Sequence, residues 1–515
     1  MSALQQIVPP EPHSPSTPGQ PSRFTKDVSA RVYNEVNRGM DVWSMFNPAV
    51  FPTAVNLGQG FMSFGPPSFI TDALVDAGSE KQVATHHYSH PKGRLQLRKA
   101  ISAHYSASFR KPASVEEDRA AGARALQLAE GDHSSSPATT RVGTEGVPGL
   151  PRRRADHGLP LDIETEIQVT AGANCGIYCA TLAFVNKGDQ VLMFEPFFDQ
   201  YICEATFHDG EPIFIPLIPP QSKDASSGAG QSKSKDMPKA DEWSIDWEIL
   251  EKAMSDPKAK VFILNTPNNP IGKVFSLEEL QRFAALAIKY DILVVADEVY
   301  DALVFDKLEH IRIASIEGMW ERTITVGSAG KTFACTGWRI GWCLGPKHLL
   351  NPVLAAHTRI VFCCNSAASE AAGVGLEHAT KSDFFERQVI EYEQRRERLC
   401  SIFGDLGLTY HWPSGSYFVM VDLSVVQIPA DFEFPPHLQK RDRAYKLAWF
   451  LAKTVDVVGI PATAFASDEG AKLFDKYVRF SFCKTEKEFA AAAERLEKLK
   501  PYLTGSAVCT HRDSL

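Results

Sequence analysis

Six short apolar runs recur through the middle of this 515-residue chain, and they limit its fold more than any other feature. They span residues 166–170, 190–194, 213–216, 261–265, 292–296 and 323–327. The central runs show almost no polar alternation, as in Val261-Phe-Ile-Leu-Asn265 and Ile292-Leu-Val-Val-Ala296. A strand written that way is buried on both faces. Helical patterns lie between the runs. One apolar helix covers 174–185, and an amphipathic one opens at the capping box Ser276-Leu-Glu-Glu279 and continues to about Tyr290. Strands alternating with helices predict an α/β architecture, a mostly parallel sheet with helices on both faces. Beyond residue 346 the rhythm changes: a helix near 384–403, strands around 416–422, a helix around 445–453 and a last helix from Glu486 predict a smaller α+β domain.

The expected division is a disordered tail over 1–22, an arm over 23–68 that contributes to the smaller domain, a large domain over 69–346, the small domain over 347–503 and a second tail over 504–515. Two stretches interrupt the pattern. Residues 111–160 lack sustained apolar periodicity, and residues 222–241 are rich in Ser, Lys and Gly. Both read as disordered surface insertions.

Composition narrows the function. A net charge of −8 argues against a general nucleic-acid binder. No apolar run reaches the ~18 residues of a membrane span, and the Pro- and Ser-rich N-terminus has no signal-like apolar core, so the cytosol is the expected compartment. The ten cysteines include no CxxC pair and predict buried free thiols rather than disulfides or zinc.

Ligands of parallel sheets bind beyond the C-terminal ends of the strands, and the residues there form a chemical set. After the run 323–327 comes Ser328-Ala-Gly-Lys331-Thr-Phe, continuing to Arg339. A lysine among small residues can approach a flat cofactor, with Ser328 and Arg339 flanking it to hold a phosphate; this suits pyridoxal phosphate chemistry. Thr170-Ala-Gly-Ala173-Asn174 opens a helix whose free N–H groups suit the same phosphate. Asp297 ends a buried strand, where a carboxylate can pair with a protonated pyridine nitrogen, and Tyr300 follows one turn on. Asn269 sits in a Pro- and Gly-fixed loop as a rigid hydrogen-bond donor, and Phe198 is placed to stack on a flat ring. Each of these has an ordinary reading as a cap, a turn or a core residue. Their joint occurrence on successive strand ends does not.

With these residues, the sequence resembles the class I aminotransferases of pyridoxal phosphate fold type I, and within them the kynurenine aminotransferase/glutamine transaminase K group, its fungal branch especially. The carrying segments are Val55-Asn-Leu-Gly-Gln-Gly60-Phe61, Glu195-Pro-Phe-Phe-Asp-Gln-Tyr201, Asn265-Thr-Pro-Asn-Asn-Pro-Ile-Gly-Lys273, Ser328-Ala-Gly-Lys-Thr-Phe, Ala356-His-Thr-Arg-Ile-Val-Phe362 and Tyr477-Val-Arg479-Phe. The resemblance implies a seven-stranded, mostly parallel sheet in the large domain and pyridoxal 5'-phosphate as cofactor. It implies Lys331 as the Schiff-base lysine and proton shuttle, its pKa lowered by the cofactor and nearby positive charge. Asp297 would face the pyridine nitrogen, Tyr300 and Asn269 the ring hydroxyl and Phe198 the ring face. Ser328, Arg339, Ala173 and Asn174 would surround the phosphate. Tyr88 would reach the phosphate of a neighbouring subunit, which implies a homodimer with shared sites. Arg479 would clamp the substrate α-carboxylate, Gly60 would offer a backbone N–H beside it, and Trp43 and Phe362 would wall the side-chain pocket. The implied activity is ping-pong transfer of the amino group of L-kynurenine, another aromatic amino acid or glutamine to a 2-oxo acid, with kynurenic acid formed from kynurenine. A cysteine-S-conjugate β-lyase on the same scaffold is the alternative, and a non-catalytic ligand-binding scaffold is the rival of another class. The insertion at 111–160 and the segment after Arg359 depart from the group's pattern and bear on substrate choice.

Overall fold

The computed structural model describes residues 29, 31–32, 40–109, 160–220 and 237–504. The expected tails apart from Thr504, nearly all of the 111–160 insertion and residues 222–236 lie outside the described residues. Residues 237–241, expected within the second insertion, are fixed: Lys239 bridges Trp412, the Lys273 ammonium donates to the Asp241 carbonyl at 2.9 Å, and the Val274 N–H donates to the Asp241 carboxylate at 2.9 Å.

The large sheet contains β1 (Ile167–Thr170), β2 (Gln190–Glu195), β3 (Glu211–Ile218), β4 (Ser244–Ile245), β5 (Ala259–Asn265), β6 (Leu293–Asp297), β7 (Thr323–Ser328) and β8 (Gly341–Leu344). Their order across the sheet is β1-β8-β7-β6-β5-β2-β3-β4. The sheet therefore has eight strands where seven were expected; the added one is β4, a two-residue strand pairing antiparallel with Leu217 and Ile218. Only β4 and β8 run against the other six. The apolar runs now have a physical account. Leu192, Phe194, Phe262 and Leu264 pack into one core, while Val191, Met193, Val261 and Ile263 pack into another on the opposite face. Side chains alternate across a strand, so a strand buried on both sides needs apolar residues at every position.

Helices cover both faces. The capping box predicted at Ser276 is present, with Ser276 and Glu279 bonding each other's backbone N–H at the start of Leu277–Lys289. Helix Ala173–Phe184 follows β1 directly, and Lys347–Ile360 packs against it. Helix Ser366–Thr380 packs on Ser68–Ala77 and Leu95–Phe109. Its glycines permit that approach: a Cβ on Gly373 would lie 2.7 Å from the Leu97 nitrogen, and one on Gly375 2.9 Å from Ile70.

A second sheet of four antiparallel strands has the order Thr409–His411, Phe418–Asp422, Tyr477–Ser481, Ile460–Pro461. Helices Phe384–Asp405, Arg443–Thr454 and Glu486–Leu496 share its core through Leu399, Phe403, Trp449, Phe450 and Phe489. Early residues join here too, since Val55–Asn56 pairs in parallel with Val457–Val458. The nine cysteines among the described residues are free, and no helix among these residues is long and apolar enough to cross a membrane.

Gly327 of β7 lies directly beneath the buried Trp342 indole, where an added Cβ would collide with the ring. Gly327→Ala is expected to cost about 1–3 kcal/mol of stability, read by denaturant unfolding of the apoprotein; a variant as stable as its parent would show that the indole moves aside.

Candidate active site

A cavity of about 490 Å³ opens at the C-terminal ends of the parallel strands. It draws together twelve of the residues singled out in the sequence: Trp43, Gly60, Ala173, Asn174, Phe198, Asn269, Asp297, Tyr300, Ser328, Lys331, Arg339 and Arg479. Strand ends position most of them. Asp297 closes β6, Ser328 closes β7 and caps the short helix Ala329–Thr332 that carries Lys331, and Ala173 begins the helix after β1. Arg479 comes from the second sheet, paired with Met420 and Ile460.

Tyr88 and Phe362 do not line this cavity. Tyr88 is 84% exposed and Phe362 49% exposed, and their rings meet edge to face at 5.1 Å. Within one chain, then, the pocket wall implied for Phe362 is not formed, and Tyr88 stands on the surface, where its implied contact with a neighbouring subunit's phosphate involves a second chain.

Charge inside the cavity is governed by burial. The Lys331 amine is lowered to about 8, and removal from water is the largest cause; Arg479 and Arg339 push in the same direction, Cys483 and Asp297 against it. The sequence reading assigned this lowering to the cofactor and nearby positive charge, and the structure puts burial first. Asp297 is raised to about 6, again mainly by burial, against the hydrogen bonds it accepts from the Tyr201 hydroxyl and the Val299 N–H. Lys331 donates to the Tyr417 hydroxyl at 2.7 Å and approaches the Gly60 carbonyl at 3.4 Å.

The opposite walls differ in chemistry. At one end, Ser328, Arg339, Thr336 and the first residues of helix Ala173–Phe184 converge. Gly172 precedes that helix at φ 86°, and a Cβ there would collide with the Arg339 guanidinium, so only glycine leaves room for the cation beside the helix N-terminus. The Ser328 side chain makes no cap hydrogen bond and is available to a ligand. At the other end, Arg479 donates to Asn269 Oδ1 at 2.8 Å and to the Gly58 carbonyl at 2.8 Å, while its buried Nε has no partner. Its guanidinium lies 4.1 Å from the Phe418 ring centroid and 4.4 Å from that of Phe465. Burial lowers it to about 10, so it stays charged at neutral pH. Asn269 was expected to donate; its amide oxygen is taken by Arg479, which leaves the NH₂ group for that purpose. Trp43 is held by an indole hydrogen bond to Asp199 at 2.6 Å.

Several functional positions were missed. Tyr201 lies inside a quoted motif, yet its bond to Asp297 joins residues 96 apart in sequence. Tyr417 and Phe418 follow Pro413-Ser-Gly-Ser416 in the smaller unit, and nothing in that run advertises contact with a lysine 86 residues earlier. Gln59 and Thr336 line the cavity beside predicted neighbours.

These residues fit pyridoxal phosphate. A buried carboxylate lacking a cation suits a pyridine N–H, an amine held near neutrality suits the aldehyde, and the Gly172-sized recess with Arg339 and Ser328 suits a phosphate. The fold and donor set together define a pyridoxal phosphate-dependent transferase of amino groups. The chain belongs to the family of class I and II aminotransferases, whose model matches residues 150–496. It is 35% identical over 471 residues to a kynurenine–oxoglutarate transaminase of Dictyostelium discoideum, covering 90% of this chain and 94% of that one. It is 31% identical over 464 residues to kynurenine–oxoglutarate transaminase 3 of Homo sapiens, covering 88% of each. The crystal structure of Bna3p from Saccharomyces cerevisiae superposes with a TM-score of 0.77 at 34% identity, covering 93% of this chain and all of that one.

The raised Asp297 makes a stability prediction. Its charged form is disfavoured in the fold, so the contribution of Asp297 to stability is greatest below the unfolded value of 3.8 and is lost as pH rises through about 6. Asp297→Asn is expected to raise apoprotein stability at pH 8 by up to about 2–3 kcal/mol and to leave it little changed at pH 4, while turnover falls by roughly a thousandfold or more. Melting curves of both apoproteins at the two pH values check this.

Proposed function

We propose that this aminotransferase moves the amino group of L-kynurenine to a 2-oxo acid, and that the residues around the cavity take the roles that the family pattern assigns them. The carrying observation is one cavity that joins Arg479, bearing an unpartnered Nε, to the aromatic walls of Trp43, Phe61 and Phe418. Among the lining residues the cations are Lys331, Arg339 and Arg479. With Arg339 at the phosphate end, none of these described lining residues offers a second guanidinium to a distal carboxylate, which favours an aromatic donor over aspartate. The relatives named above as kynurenine–oxoglutarate transaminases support the same choice.

In this reading, Arg479 holds the donor's α-carboxylate and fixes its Cα near Lys331. Asp297 would hold the pyridine nitrogen, Phe198 the ring face, and Ser328, Arg339 and the helix start at Ala173 and Asn174 the phosphate. Bound pyridoxal phosphate supplies the electron sink that acidifies the Cα proton. Lys331, neutral above about pH 8, takes that proton on Nζ and returns it to the other side of the transfer. Tyr201 keeps Asp297 oriented. The oxo acid made from kynurenine carries an aryl amine that closes on its own 2-oxo carbonyl with loss of water, giving kynurenic acid. A homodimer is part of the reading: exposed Tyr88 and Phe362, stranded outside their own chain's cavity, fit a role in a neighbour's site.

The test is a single turnover. Cofactor-loaded protein is mixed with L-kynurenine without oxo acid, and absorbance and products are followed. One equivalent of kynurenic acid per site and conversion of the cofactor to its amine form are expected, and Lys331→Ala should yield neither. An unchanged spectrum with kynurenine, together with conversion by another amino acid, would reject this donor.

A further inference from the structure

A proton-moving lysine must do more than lose its charge: its lone pair has to face the substrate. The site contains a device for that. Tyr417 is fully buried, and its hydroxyl stands between the Lys331 amine, 2.7 Å away, and the Gly60 carbonyl, 2.8 Å away. A phenol has a single proton. The Gly60 carbonyl can only accept, so a proton given to it leaves the phenol oxygen to accept from the lysine, beside its hydrogen bond with the Tyr300 hydroxyl. The lysine nitrogen also lies 3.4 Å from the same carbonyl. A neutral amine has two N–H bonds and one lone pair. With Tyr417 Oη and Gly60 O as its two acceptors, both N–H bonds are used and the lone pair points away from them.

The phenol is itself rigidly mounted. Ser416 adopts φ 59°, and its N–H donates to the Leu303 carbonyl at 2.9 Å. Gly415 and Ser414 both donate to the Gly272 carbonyl, at 2.9 and 3.0 Å. The Tyr300 ring meets the Tyr417 ring edge-on at 5.1 Å. Burial holds the phenol well above its ordinary pKa, so it does not compete with Lys331 as a base.

We propose that Tyr417 is a positioning residue that docks the released Lys331 amine against the Gly60 carbonyl with its lone pair directed into the cavity. This rests on Lys331 being the proton-transfer amine. Asp297, Arg479, Arg339 and Cys483 act on that amine by charge, and the Tyr300 ring faces it at 5.6 Å; all remain when the Tyr417 hydroxyl alone is removed, Tyr300 losing its hydrogen bond to that hydroxyl.

Tyr417→Phe keeps the ring and deletes the acceptor. The readout is the rate at which apoprotein captures pyridoxal phosphate covalently, followed by absorbance against pH. In the parent, capture should rise with a midpoint near about 8. The ammonium loses an acceptor in Tyr417→Phe, so the midpoint should fall by about 0.5 pH unit or more, and kcat of the amino-acid half-reaction by roughly 10–100-fold with little change in donor KM. Replacing Tyr417 with 3-fluorotyrosine, a weaker acceptor of nearly the same size, should move the midpoint the same way by less. A midpoint unmoved in both variants overturns the proposal whatever happens to turnover, because a merely structural phenol leaves the lysine's titration alone. Borohydride trapping of cofactor by Lys331→Ala would instead overturn the lysine's own role, and Tyr417's with it.

Discussion

Removal from water sets the charge of the groups at the centre of this molecule. It is the largest influence on Lys331, on Asp297 and on Arg479, and in each case it works against the charged form. The cavity thus holds a carboxylate and a guanidinium that both gain when a ligand brings compensating charge. In the proposed reading, a ring cation beside Asp297, a phosphate beside Arg339 and a carboxylate beside Arg479 would each be paired in a dry setting, where such pairs are strong.

The two sheets divide this work. The parallel strands present Asn265, Asp297 and Ser328 along one rim of the large sheet. The smaller sheet brings Arg479 and Phe418 from across the cavity, and it fastens the loop after Asn56. Ser481 donates its N–H to the Leu57 carbonyl, Arg479 donates to Gly58, the Ser481 hydroxyl donates to Gln59 and Lys484 donates to Phe61. Successive carbonyls of the loop are tied to one run of residues. Gly60 has no room for a side chain, since a Cβ would lie 2.6 Å from the Phe418 ring. The loop's shape is therefore a property of its partner strand as much as of its own sequence.

How much was legible follows from range. The strands at 261–265 and 292–296 announced themselves because both faces are buried, and the helix after Ser276 because its cap is local. The cavity residues at strand ends could be read because a parallel sheet puts them there whatever the rest of the chain does. Ser366–Thr380 was not singled out: it is rich in Ala and Gly, buried by close helix packing rather than by a stripe of large apolar residues. Tyr417 and Tyr201 were missed because their significance lies in single hydrogen bonds to distant residues, which leave no periodic trace. Tyr88 and Phe362 were chosen from motifs, and one chain alone does not bring them to its own cavity.

The pairing of Val55–Asn56 with Val457–Val458 bears on how this protein is made. Thr53 and Asp456, joined beside it by a hydrogen bond, stand 403 positions apart. At about 5–20 residues per second, a ribosome takes roughly 20–80 s to deliver the second partner after the first. For all that time the segment carrying Gly60 has no strand beside it and no Ser481, Arg479 or Lys484 to receive its carbonyls. The parallel sheet can form while synthesis continues, but the face of the cavity that carries Gly60 and Arg479 is closed near the end of synthesis. The large sheet is thus the part of the molecule open to escort by chaperones or by cofactor during translation, well before the enzyme can turn over.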